Sequence, residues 1–260
     1  MRRLSLALLA AVSTIALTQF ASAADLPVKA PVYKAPMMAP LYNWTGFYIG
    51  LNAGYSWGRQ DNDLVDAATG VTILSNSDNL NGFIGGGQIG YNWQVNQWVF
   101  GLEADFQGSG QNADGSFATP ATNTCLPFAS CPVPATSTAY TDKLDWFGTV
   151  RGRIGYAMGA TGNWLPYVTG GWAYGHGEIS GTTTSGGVAT SFSGSQDYSG
   201  WTVGGGVEWA FMNQWSVKVE YLYIDFGDGP TVTANAAGTR NIVSGTMTDN
   251  IVRAGINYKF

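Results

Sequence analysis

Charge, histidine and cysteine are all scarce in this sequence. Charged residues make up 11% of the 260, with a single histidine and two cysteines, where ordinary soluble domains carry about 25% charge. The shortage argues against a freely soluble surface, while 45% apolar residues argue against a disordered chain. His176, Cys125 and Cys131 are too few to build a His/Cys metal site, and no cofactor is expected. Beyond residue 23 there is no uncharged apolar run of 18 residues, so no segment reads as a membrane-crossing helix, and no long segment has helical periodicity. Glycine and tryptophan are abundant instead, at 36 and 10 residues.

Arg2 and Arg3 precede an uncharged, mostly apolar stretch ending Ala21-Ser22-Ala23. This reads as a secretory signal peptide over 1–23, cut between Ala23 and Ala24. Cleavage removes two bases, leaving 10 against 17 acids, a balance of −7, and an acidic exported chain is a poor nucleic-acid binder. Export also places Cys125 and Cys131, six positions apart in a Pro/Thr/Ser-rich segment, in an oxidising compartment where a local disulfide is expected. Residues 24–43, with four prolines and two lysines, read as an extended N-terminal tail.

From Trp44 to Phe260 the pattern alternates with period two, about eight times over. Strand one sets Phe47, Ile49, Leu51, Ala53, Tyr55 and Trp57 against Tyr48, Gly50, Asn52, Gly54 and Ser56. Further strands are expected near 83–93, 98–107, 145–156, 164–178, 201–211, 215–223 and 252–260, the one at 164–178 being ambiguous in phase. Short turns near 96–97, 159–163 and 212–214 alternate with long Gly/Ser/Thr/Asn-rich segments at 58–80, 108–141, 179–197 and 228–247, which read as loops gathered at one end.

Tryptophans flank the apolar face at two heights. Trp93, Trp98, Trp164, Trp209 and Trp215 sit beside short turns, and Trp57, Trp146 and Trp201 toward the long segments. Indole rings favour a membrane interface, and two girdles one strand apart mark a transmembrane barrel. A soluble β-sandwich would have no reason to band its aromatics by height. The fold expected for 44–260 is therefore all-β, an eight-stranded antiparallel up-and-down transmembrane β-barrel. Its polar face would turn inward, opposing Glu103, Asp105, Glu208 and Glu220 to Arg151, Arg153, Lys218 and Arg253. Four acids and four bases at one height would pair and block so narrow a lumen, as a structural plug rather than a switchable gate.

The leader, Asp25-Leu26-Pro27, the run Trp44-Thr45-Gly46-Phe47-Tyr48-Ile49-Gly50, the run from Pro166 to Gly175 and the closing Val252-Arg253-Ala254-Gly255-Ile256-Asn257-Tyr258-Lys259-Phe260 together resemble the Omp25/RopB family of alphaproteobacterial outer-membrane proteins. The resemblance covers essentially the whole mature chain. It implies an OmpA-like barrel in the outer membrane, its loops extracellular and its termini periplasmic. It also implies an assembly signal at Ile256, Tyr258 and Phe260, read by the outer-membrane insertion machinery. Relatives are described as porins, surface antigens, envelope-stability proteins and hemin binders.

Other signals weigh less. Gly85 to Gly90 fits G-x-G-x-x-G, but it continues a strand and opens no helix. His176 with Ser180 or Ser199 has no third orienting group at a readable spacing, so no enzyme activity is expected. The function expected is a structural or surface role in the envelope, with outer-membrane lipid and lipopolysaccharide as partners and a monomer as the default state. A narrow porin, and a loop-mediated adhesin or hemin-binding receptor, stay open as alternatives, as does contact of the tail with peptidoglycan. The intact mass of the exported protein should correspond to residues 24–260 less two hydrogens for a Cys125–Cys131 bridge; free thiols would remove the staple.

Overall fold

The computed structural model describes residues 41–123, 132–229, 231–234 and 240–260. The leader, residues 24–40 of the tail, and Cys125 and Cys131 lie outside the described residues.

Alternation builds eight long strands among these residues: β1 (Gly46–Asp66), β2 (Thr72–Val95), β3 (Trp98–Thr119), β6 (Thr136–Tyr156), β7 (Trp164–Ser185), β8 (Val188–Ala210), β9 (Trp215–Asp228) and β11 (Arg240–Lys259). Two two-residue strands, β4 (Thr122–Asn123) and β5 (Pro132–Val133), pair with each other, and β10 (Thr231–Thr233) pairs with β11. The long strands run antiparallel in sequence order, and β11 returns to pair with β1 from Tyr48–Lys259 to Asp66–Arg240, closing the barrel. Closure gives the strand edges partners without a second chain, the condition for a sheet in hydrocarbon. No described helix is long and apolar enough to cross a membrane.

The outward face carries the expected apolar band, with Phe47, Leu51, Phe83, Leu102, Val168 and Val219 all well exposed. Aromatic pairs bracket the band. Trp164 stacks on Trp209 at 5.6 Å, Trp98 meets Tyr156 at 5.2 Å and Trp215 meets Tyr258 at 5.0 Å near the short turns. At the other margin Phe106 stacks on Trp146 at 5.4 Å, Tyr55 meets Phe83 at 5.2 Å and Trp201 tilts against Tyr223 at 5.5 Å. Trp93 and Trp57 project outward at the same two margins. The register of β7 settles its phase: Leu165, Tyr167, Thr169 and Ala173 face inward, while Trp172 faces outward opposite Trp201, adding a ring to the far margin.

The reading of 58–80, 108–141, 179–197 and 228–247 as loops is corrected. Most of each described stretch continues the ladder: β1 runs nine residues beyond Trp57, and β7 and β8 pair without interruption to Ser185–Val188. At about 3.3 Å per residue, β1 projects about 30 Å of strand beyond the girdle. Beyond it the outward positions turn polar, as at Arg59, Asp61, Ser77 and Asn79, because they meet water. Inward positions mix polar and apolar residues, such as Gln60, Asn62, Leu64 and Leu80. A composition rich in Ser, Thr and Gly therefore looked like loop while its alternation persisted. The β7–β8 connection shrinks to Gly186-Gly187, both at positive φ (57° and 83°), as a two-residue hairpin turn of that hand requires.

Trypsin checks this wall. Arg59, with its side chain 65% exposed, and Lys143 would be cut in loops but are held in ladders on both sides. Folded protein should resist cleavage after both residues, and heat-unfolded protein should be cut at both.

Candidate functional site

Side chains meet in layers inside the barrel, each assembled because alternate residues of several strands face inward. At the short-turn end Trp44, Val99, Leu165 and Ala210 cluster, with the Trp44 indole donating to the Gly162 carbonyl at 2.9 Å and its backbone N–H to Gln94 Oε1 at 2.7 Å.

Above this base lie the eight charged residues read from the sequence, each 3% exposed or less. Cross-strand register sets Glu103 opposite Arg151, Glu208 opposite Lys218 and Glu220 opposite Arg253. Arg151 is the hub. Its Nη2 reaches Glu103 at 2.5 Å and Asp105 at 3.0 Å, its Nη1 reaches Glu220 at 2.7 Å, and its Nε donates to Thr149 at 2.8 Å. Arg253 bridges Asp105 and Glu220, each at 2.8 Å, and Lys218 Nζ donates to both Glu103 oxygens at 2.8 and 2.9 Å. Arg153 pairs with Glu208 at 2.9 Å and lies between the rings of Tyr48 and Tyr167, 4.9 and 5.2 Å from their centroids.

Neutral groups add to the layer in roles not read from the sequence, while Asp105 Oδ1, Arg153 Nη2 and Arg253 Nη1 have no hydrogen-bond partner. Tyr48 Oη donates to Glu103 at 2.7 Å, Tyr167 Oη to Glu220 at 3.2 Å, Asn257 Nδ2 to Glu208 at 2.7 Å, and Asn92 Oδ1 accepts from Arg153 Nε at 2.9 Å. The inward phase of β1 already put Tyr48 on the polar face; Tyr167 needed the phase of β7. Small residues make room: a Cβ on Gly101 would sit 3.0 Å from the Arg153 side chain.

Further out an apolar layer follows, centred on Leu144, Phe147, Leu222 and Phe226. At the height of the outer girdle Asp249 is buried against Ser56 and Gln111, and beyond it Asp78 and Asp142 are buried beside Asn62. A second apolar cluster, including Leu64, Phe117, Ile179 and Ile242, lies farthest out.

The remaining candidates lie apart from these layers or within single strands. His176 Nδ1 lies 2.7 Å from Asp197 Oδ1, an orienting carboxylate that sequence spacing did not reveal, and its ring stacks on Trp146. Ser199 Oγ, however, accepts from the Trp172 indole at 2.8 Å, and Ser180 lies four residues along β7 from His176. Gly85 to Gly90 runs inside β2. Ile256, Tyr258 and Phe260 point outward, and the Phe260 N–H bonds to the Phe47 carbonyl at 3.0 Å.

Removing one partner from a buried ion network strands the others in a dry space, at about 3–5 kcal/mol. Arg151→Ala should therefore lower the unfolding free energy of the refolded barrel, read from its urea transition, by an amount in that range, with Arg151→Glu worse. An unchanged midpoint would show that the network contributes nothing to stability.

A profile for the family "Outer membrane protein beta-barrel domain" matches residues 6–260. The 31 kDa outer-membrane immunogenic protein of Brucella melitensis is 38% identical over 255 residues, covering 92% of this chain and 93% of that one. The 25 kDa outer-membrane immunogenic protein of Brucella abortus is 27% identical over 267 residues and covers both chains completely. Among solved structures, OprG from Pseudomonas aeruginosa superposes with a TM-score of 0.46 at 11% identity, over 85% of this chain and all of that one. The chain belongs to the outer-membrane β-barrel family that includes these Brucella proteins, and its place is the outer membrane.

Proposed function

We propose that the protein is a closed barrel with a structural and surface role in the cell envelope, its lumen plugged rather than conducting. The observation that carries this reading is the order of the layers: apolar clusters lie on both sides of the ion layer. A conducting path needs a continuous polar lining or a wettable constriction. Here the charged groups are engaged with one another, and Trp44 on one side and Phe147 with Phe226 on the other interrupt any polar route. Beyond the membrane the paired wall turns polar residues to the medium, which suits a surface component. The immunogenic label borne by the Brucella relatives agrees with such exposure.

The partners that fit this reading are outer-membrane lipid and lipopolysaccharide against the outward aromatic band, and the insertion machinery at Ile256, Tyr258 and Phe260. A monomer suffices, because β11 closes on β1. The reading assigns His176 and Ser199 to the wall, His176 bonded to Asp197 and Ser199 to the Trp172 indole.

Planar-bilayer recording of refolded protein tests the plug. Neither the mature chain nor Arg151→Ala should give stable conductance steps, since the apolar layers survive the substitution. Steps in the mature chain that change amplitude with Arg151→Ala would make the protein a narrow pore.

A further inference from the structure

The lumen changes character from the height of the outer girdle outward. The inner layer balances four bases against four acids, whereas no ion pair among the described residues reaches Asp78, Asp142 or Asp249, all buried. Asp78 of β2 and Asp142 of β6 converge on Asn62 of β1, whose Nδ2 donates to Asp78 Oδ2 at 3.1 Å and to Asp142 Oδ2 at 2.8 Å. Tyr140 Oη donates to Asp78 at 2.5 Å and Asn76 Nδ2 at 2.8 Å. Two oxygens here have no partner: Asn62 Oδ1, and Oγ of Ser244, which is 1% exposed, faces inward from β11 and stands directly opposite Asn62 in the ladder. Tyr198 of β8 bonds to Gln60, two residues along β1 from Asn62.

We propose that this outer chamber holds a hard divalent cation of the Ca2+ class between Asp78 and Asp142, with the Asn62 carboxamide turned to present its oxygen and the Ser244 and Tyr140 hydroxyls within the same oxygen-lined space. Two carboxylates converging in a dry space need a cation or a proton, because an isolated buried charge is costly. The only donors they have are neutral. Carboxylate, amide and hydroxyl oxygens without sulfur or imidazole suit Ca2+, which accepts irregular geometry, better than Mg2+ with its octahedral demand or a transition metal. Among the described residues no three His, Cys, Asp or Glu side chains are placed to hold a metal, so two carboxylates completed by neutral oxygens form the set, a kind that counting His and Cys cannot register. The β8–β9 ladder stops at Trp201–Asp225, and beyond it Gln196 Nε2 of β8 donates to the Asp228 carbonyl at 3.3 Å.

A proton competes for the same place. Burial raises the Asp142 carboxyl to about 6, with the Asp78 charge adding and the Asn62 hydrogen bond opposing. A carboxyl raised in the folded state stabilises below its unfolded value of about 4 and loses that contribution as pH rises through the folded value. Without metal, the barrel should therefore gain stability as pH falls from 7.5 to 5.

The experiment uses barrel refolded in detergent free of lipopolysaccharide, stripped with EDTA and dialysed against Ca2+ at pH 7.5. One Ca2+ per chain should be retained and the thermal midpoint should rise. Retention should weaken at least tenfold at pH 5 and in Asp142→Asn and Asp78→Asn, each checked for folding by heat-shifted electrophoretic mobility. Asp197→Asn, which removes an exposed carboxylate, should bind as the unaltered chain does. Folded protein that retains no Ca2+, or an Asp142→Asn barrel that retains it equally well, would overturn the site.

Discussion

The ion network centred on Arg151 is the constraint on which the rest of the barrel depends. Its members come from five strands, β3, β6, β8, β9 and β11, and they meet only if every intervening ladder holds its register. A slip of one residue would flip the whole strand, placing an arginine or glutamate in hydrocarbon and a valine or tryptophan inside. The same pairing that removes charge from the lumen therefore fixes the alignment of the wall. Closure between β1 and β11 then leaves the membrane with an apolar surface only, bounded by two rings of tryptophan and tyrosine.

The two polar layers solve the problem of buried charge differently. Around Arg151 each charge has an opposite within about 3 Å, and tyrosines and asparagines add further hydrogen bonds. Around Asp78 and Asp142 the partners are neutral, so the charge stays open to control by the medium through the proton or a cation. The difference follows the wall. The inner layer sits at membrane height, where uncompensated charge is expensive and water is remote, while the outer layer sits where strands project beyond the girdle. An apolar layer around Phe147 and Phe226 separates them, so changes in the outer chamber need not disturb the inner one.

Much of this was legible from residue order. Strands from Phe47 to Trp57 and from Val252 to Phe260 announce themselves because one side meets lipid and the other a polar lumen, and period two is the only pattern that serves both. The eight lumen charges were legible for the same reason, since no other position in the span tolerates them. The outer wall was hidden because water lies outside it: polar residues there satisfy both faces, and segments such as 179–197 read as loop. The β7 phase was hidden by its glycines, which removed the contrast between faces and with it the roles of Tyr167 and Trp172.

By itself, then, the amino-acid order determined the class of fold, the number of long strands and which side chains face lipid, because these follow from a local alternation imposed by two solvents. Only the tertiary structure decided which charge meets which, how far the ladder continues beyond the membrane, and that Asp78 and Asp142 meet at Asn62 with Ser244 opposite it in the ladder. Those outcomes depend on register and closure between residues as far apart as Asn62 and Ser244, and no local pattern encodes a partner so distant along the chain.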